Sequence, residues 1–276
     1  MFFSLPHIIY MLTPVVLLIV IYMLFRNAPA AVKRLAVFLL ALLNTLQHLL
    51  KIYIYPQYAG ECFGGRSTAY NMCALLILIS PIILLIGSQL WQNFLFYIGS
   101  IAGIASLCVT YWLKEPVEEQ LRFVICHGLL FLTSFLPYLF GIYKINYRKC
   151  WKIPFVFVGC LTVLIVNNMV TFSLGLVGDT GNFTMWEFLV RENPCWAMCP
   201  PKNYPFVEEL MSPLIPSPFL ASKGGVDTPI LWYFFPIVIL MTAIGFLLGC
   251  VFDGKGVLRD LKAPFKPRRK KSNNKK

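Results

Sequence analysis

Charge is scarce in this chain. Only 13% of its 276 residues are Asp, Glu, Lys or Arg, whereas a soluble domain carries about a quarter. With 58% hydrophobic residues and a mean hydropathy of +0.70, that shortage excludes a soluble globular domain and implies a multi-pass membrane protein. Histidine is scarcer still, with three in all, and at membrane depth only His48, His127 and Cys73 have metal-ligand chemistry, too few for a metal site. Cys195 and Cys199 have no second pair to complete a zinc site, so a disulfide or packing is the better reading. Neither a Gly-rich phosphate loop nor a Ser-centred nucleophile elbow is present, and no cofactor is expected. Met1 to His7 holds no Lys or Arg, and no small-residue cleavage site precedes Arg26, so the first apolar run reads as a span rather than a signal peptide. There is no internal repeat.

About twenty apolar residues cross a hydrocarbon core of roughly 30 Å. Seven runs qualify: Ile8 to Phe25, Leu35 to Tyr55, Ala69 to Gly87, Phe94 to Leu113, Phe123 to Ile142, Ile153 to Leu176 and Ile230 to Val251. The expected fold is an all-α bundle of seven transmembrane helices within residues 1–254. Arg26 to Arg34 and Lys144 to Lys152 are basic and lack acids, whereas Lys114 to Arg122 carries Glu115, Glu118 and Glu119. Basic loops alternate with the others, which puts the N-terminus outside and the C-terminus in the cytoplasm. Residues 177–229, rich in Pro, Cys and Trp, form a long outer segment suited to a lid over the bundle. Its Asn182-Phe183-Thr184 matches a glycosylation sequon. Ten of the 24 Lys and Arg lie from Lys255 onward. A low-complexity basic tail (255–276) that directly follows a span reads as disordered, resting on anionic lipid headgroups rather than nucleic acid. Cys73, Cys108, Cys126, Cys160 and Cys250 fall in apolar runs, which reads as reduced packing cysteines rather than a disulfide scaffold.

Polar side chains at membrane depth are costly, and each invites a functional hypothesis. Asn44, His48 and Lys51 share one face of the second span, and Tyr70, Cys73 and Ser80 share one face of the third. The fifth carries His127 and Ser134; the sixth carries Asn167, Asn168 and Thr171. At 1.5 Å per residue, Cys73 and His127 each lie roughly 6 Å below the outer surface, His48 roughly 10 Å and Asn168 roughly 12 Å. Together these groups point to one cavity that opens toward the outer leaflet. A cysteine and a histidine at equal depth suggest a thiolate nucleophile served by an imidazole base. Asn167, Asn168 and Asp179 are candidates to hold the other ring nitrogen, with His48 nearby; Tyr70, Asn71 and Asn44 are candidates to meet substrate. Taken on spacing alone, the signal is weak, because a membrane-helix cysteine such as Cys73 is usually a packing residue and a histidine such as His127 more often an interhelical hydrogen-bonder.

The order of four motifs resembles the YwaF-type integral membrane proteins of bacteria and their animal relatives, the transmembrane cysteine phospholipid acyltransferases. The likeness is carried by Tyr70-Asn71-Met72-Cys73, by Leu121-Arg122-Phe123-Val124-Ile125-Cys126-His127-Gly128, by Val166-Asn167-Asn168 followed by Gly178-Asp179-Thr180-Gly181-Asn182-Phe183, and by Pro229-Ile230-Leu231-Trp232-Tyr233. It runs from the second span onward. Asn71 stands where the family often has a His beside the Cys, and the Cys-rich stretch Arg191 to Asp227 has no placed counterpart. The resemblance implies Cys73 as the acyl-accepting nucleophile and His127 as its base. Acyl chains would pass from a phospholipid through a thioester to a lysophospholipid. A rival of another class is a non-enzymatic transporter or lipid-binding protein, which would need a polar path continuing to the inner side.

Overall fold

Proline and asparagine mark where the helices begin. The computed structural model describes residues 4–54, 65, 67–108, 111–177, 183–192, 213 and 234–262, and among these there is no strand. Pro6 sits at the first turn of α1 (Leu5–Phe25), where its missing N–H costs nothing. After α2 (Ala30–Leu49) and a single helical turn, Lys51–Ile54, α3 (Met72–Ile86) starts under an Asn71 cap and ends at Gly87, whose φ of 68° favours glycine. The chain then enters α4 (Gln89–Cys108), which carries a π-helical turn at Leu95–Gly99. α5 (Val117–Leu139) begins after Pro116 with Glu118 and Glu119 in its first turn, where carboxylates complement the helix dipole. A 3-10 turn, Tyr147–Lys152, leads into α6 (Ile153–Ser173). The remaining helices are α7 (Met185–Glu192), α8 (Phe234–Phe252) and α9 (Gly254–Lys262), the last bent by 95° from α8.

Five of these helices are long and apolar enough to cross a membrane, or six if α8 and α9 are taken as one broken span. The seven expected spans are reached only if α3 and the bent α8–α9 pair are added to these five; α3 has 15 residues. That is about 22 Å of helix, because residues 68–71 enter through an irregular, bent path rather than as helix. Cys62, Asp179, Asn182, Cys195, Cys199, Trp232 and most of the expected lid and tail lie outside the described residues, though the first part of the tail, expected to be disordered, is helical in α9.

α5 is the hub. It packs against α1, α2, α3 and α4, and 72% of its apolar window is buried, against 6% for α1. Leu76, Phe94, Leu130 and Leu164, from α3, α4, α5 and α6, meet in the main core and are wholly enclosed. The apolar faces turned outward on α1, α2 and α8 suit lipid contact. Two glycine pairs allow close crossings. A Cβ on Gly103 would lie 2.8 Å from both the His127 carbonyl and the Phe131 amide of α5, and one on Gly99 would meet Ser134. Gly249 and Gly245 on α8 make the same accommodation to Tyr147 and Cys150.

The basic segments gather at one end of the bundle. The Lys33 ammonium lies 5.8 Å from the ring centre of Phe140, and Arg148 and Tyr147 both donate to the Asp260 carboxylate of α9. Those bonds hold the Asp260 carboxyl down at about 2.

Candidate active site

The site is built on the irregular, non-helical segment that precedes α3. Backbone carbonyls outside a helix need partners when they lie at membrane depth. Here three polar side chains from neighbouring helices tie the segment down. His48 Nε2 on α2 donates to the Thr68 carbonyl at 3.1 Å, and Asn168 Nδ2 on α6 donates to the Tyr70 carbonyl at 3.1 Å and to its own Leu164 carbonyl at 2.9 Å. Asn167 Nδ2 donates to Thr68 Oγ1 at 2.9 Å, and that hydroxyl donates to the Gly65 carbonyl. The Tyr70 ring stacks on the His48 ring and lies under the Lys51 ammonium at 4.9 Å. Asn71 Oδ1 accepts the Ala74 amide at 2.9 Å, so the nucleophile candidate Cys73 sits in the capped first turn of α3, half-buried.

His127 reaches the same place from the middle of α5, buried and stacked against Phe123 with ring centres 4.1 Å apart. The Cys73 thiol is an electrostatic neighbour of its ring. Nδ1 lies 2.9 Å from the Phe123 carbonyl, one turn back, and 3.1 Å from Cys126 Sγ. A carbonyl can only accept, so the proton belongs on Nδ1, and Nε2 keeps the lone pair. The role expected of Asn167, Asn168 or Asp179 thus falls to a backbone carbonyl: the two asparagines bond the segment before Cys73, and Asp179 lies outside the described residues.

Asn44 is buried, with Nδ2 on the Cys126 carbonyl at 3.0 Å and Oδ1 accepting from Gln47. Its neighbour Thr45 donates to the Ile77 carbonyl of α3 at 2.7 Å. Arg122, five residues before His127 on α5, is buried in a two-point pair with Glu119. Among the described residues no group of three His, Cys, Asp or Glu is placed to hold a metal.

Spacing brought Cys73 and His127 to one level but missed the second thiol at the imidazole, Cys126, and the interhelical reach of Thr45 and Thr68. A thiol adjacent in sequence to a histidine on a buried helix was the available signal for Cys126. The small-residue pair Gly99 and Gly103 was the signal for the α4–α5 crossing. A thiol beside an imidazole with a fixed tautomer can lose its proton to Nε2 and act as a nucleophile.

No curated protein and no solved structure matches the chain. A model of the TMEM164 family matches residues 2–249, and the chain belongs to the TMEM164 family.

Proposed function

We propose that this membrane protein is a Cys–His acyltransferase that moves an acyl chain between phospholipids through a thioester on Cys73. The observation that carries the reading is the meeting of Cys73 and His127, from different helices, with Nδ1 of the imidazole anchored on the Phe123 carbonyl. The motif resemblance to cysteine phospholipid acyltransferases points the same way.

In this mechanism His127 Nε2 takes the Cys73 proton. The thiolate adds to the ester carbonyl of a donor phospholipid, and the lysophospholipid alkoxide leaves with the proton returned by the imidazolium. The acyl group is then held as a thioester. The hydroxyl of an acceptor lysophospholipid gives its proton to Nε2 and attacks the thioester carbonyl. Cys73 departs as the thiolate and recovers the proton. An oxyanion developing at Cys73 would draw on the backbone amides at the start of α3. Burial of the site limits competition from water. The clustering of basic segments at the end where α2 begins and α5 finishes supports an orientation with that end and the basic tail on cytoplasmic headgroups; in this reading the site opens toward the outer leaflet and all seven expected spans cross the membrane.

The test is acyl labelling in lipid with a radiolabelled phospholipid. Hydroxylamine-sensitive label is expected on the wild type, absent in Cys73→Ala, with turnover lost in His127→Ala. A wild type that stays unlabelled across several phospholipid classes would overturn the assignment.

A further inference from the structure

α3 and α5 carry the two members of the pair, and both are bonded to consecutive residues of α2. Asn44 donates to the carbonyl of Cys126, the residue directly before His127, at 3.0 Å. Thr45 donates to the carbonyl of Ile77, one turn after Cys73 on the same face of α3, at 2.7 Å. One turn further along α2, His48 holds the Thr68 carbonyl in the segment entering Cys73. Asn44 is enclosed, as are Val37 and Ala41 on the same helix, so the α2 face has no slack. Thr45 also approaches its own Ala41 carbonyl at 3.1 Å, the weaker of its two contacts by distance, so the interhelical bond is the one that directs its hydroxyl.

We infer that Asn44 and Thr45 act as a clip that sets the separation and register of Cys73 and His127. They are positioning residues, rather than contacts to substrate. The inference rests on the Cys73–His127 reading. A rigid helix bonded to both partners at adjacent residues fixes one against the other. Loss of either bond lets α3 or α5 slide without removing either reacting group. A misplacement of about 1 Å at the reacting atoms costs up to roughly 100-fold in rate.

The experiment uses the full chain in lipid and reads alkylation of Cys73 by a small maleimide, quantified on its own peptide by mass spectrometry, across pH. In the wild type the profile depends on His127 and changes in His127→Ala. In Thr45→Val and Asn44→Leu the profile moves to that of His127→Ala, and acyl transfer falls tenfold to roughly 100-fold in kcat with KM little changed. Thr45→Ser restores the wild-type profile. Thr162→Val, which removes a hydroxyl bonded only to its own helix at Val158, leaves it unaltered. If His127→Ala does not change the wild-type profile, the dyad itself fails. If that dependence exists but persists in Thr45→Val and Asn44→Leu, the dyad stands and the clip is refuted. Should Asn44→Leu fail to fold, the Thr45→Val and Thr45→Ser contrast decides alone.

Discussion

Replacing Gly103 by alanine puts one methyl group between α4 and α5 at the level of His127. That methyl would lie 2.8 Å from the His127 carbonyl, 2.8 Å from the Phe131 amide and 2.9 Å from the Phe131 Cβ, where ordinary contact begins at 3.4 Å. Two of the three obstacles are backbone, so no rotamer relieves them, and the helices must part by about 0.5 Å. Overpacking of this kind costs about 2 to 3 kcal/mol, offset by roughly 0.5 to 1 kcal/mol from the better helix propensity of alanine. A net loss of about 1 to 2.5 kcal/mol lowers the unfolding midpoint by roughly 2 to 10 °C. Gly159 on α6 is the internal control, because a Cβ there meets nothing within 4 Å, and its alanine variant keeps only the propensity gain. Thermal unfolding in detergent, followed by loss of the monodisperse peak, should therefore move the two variants in opposite directions. Acyl transfer should fall in Gly103→Ala alone, since the displaced backbone is that of His127. A Gly103→Ala protein as stable and active as Gly159→Ala would show that the helices do not cross at this point and would refute the argument.

Two further outcomes are expected. Asn71→Ala removes the cap on the Ala74 amide and should cost about 1 kcal/mol, read as a lower unfolding midpoint with Cys73 alkylated faster as the first turn of α3 frays. The Asp260 latch is an acid-sensitive contact. Its carboxyl is held at about 2 by Arg148 and Tyr147, below the ordinary 3.8, so the folded state favours the carboxylate. The contribution is complete above the ordinary carboxylate range and is lost as pH falls through about 2. Limited proteolysis within α9 should accelerate toward that pH and be fast at neutral pH in Asp260→Asn.

The class of the protein was legible because membrane burial is written in composition, and every expected span that falls on described residues overlaps a helix. Helix ends were less legible. Depth was counted from the first apolar residue of the fifth span, Phe123, yet α5 begins six residues earlier at Val117, since Pro116 and two glutamates start helix without being apolar. At Ala69 the error ran the other way: Tyr70 looks helical by hydropathy, but Asn71 caps the helix and leaves the preceding carbonyls to other partners. That single difference explains why His48, Asn167 and Asn168 converge on the site without touching the imidazole. Sequence periodicity reports which face a polar group occupies, and it says nothing of whether a side chain or a backbone carbonyl waits opposite. The Phe123 carbonyl as orienter was invisible for the same reason, because every residue has one.

The hydroxyls packed beneath the pair bear on the choice between an enzyme and a conduit. Leu76, Ile77, Leu130, Leu132, Leu136 and Leu164 are enclosed below the level of Cys73 and His127. The hydroxyls among them turn back on their own helices: Ser80 donates to Ile77, Thr133 to Leu129 and Ser134 to Leu130. A passage for a polar solute needs groups that face the lumen and remain available to it, whereas these are satisfied by carbonyls three or four residues back. The described layer beneath the pair is therefore mostly apolar, apart from the buried hydroxyls of Tyr97 and Ser100. An apolar layer there would help keep water from a thioester between two half-reactions. A carrier gains nothing from an imidazole whose tautomer is fixed beside a thiol. An acyltransferase requires that arrangement, because the same Nε2 must accept a proton from Cys73 in one half-reaction and from the acceptor hydroxyl in the next.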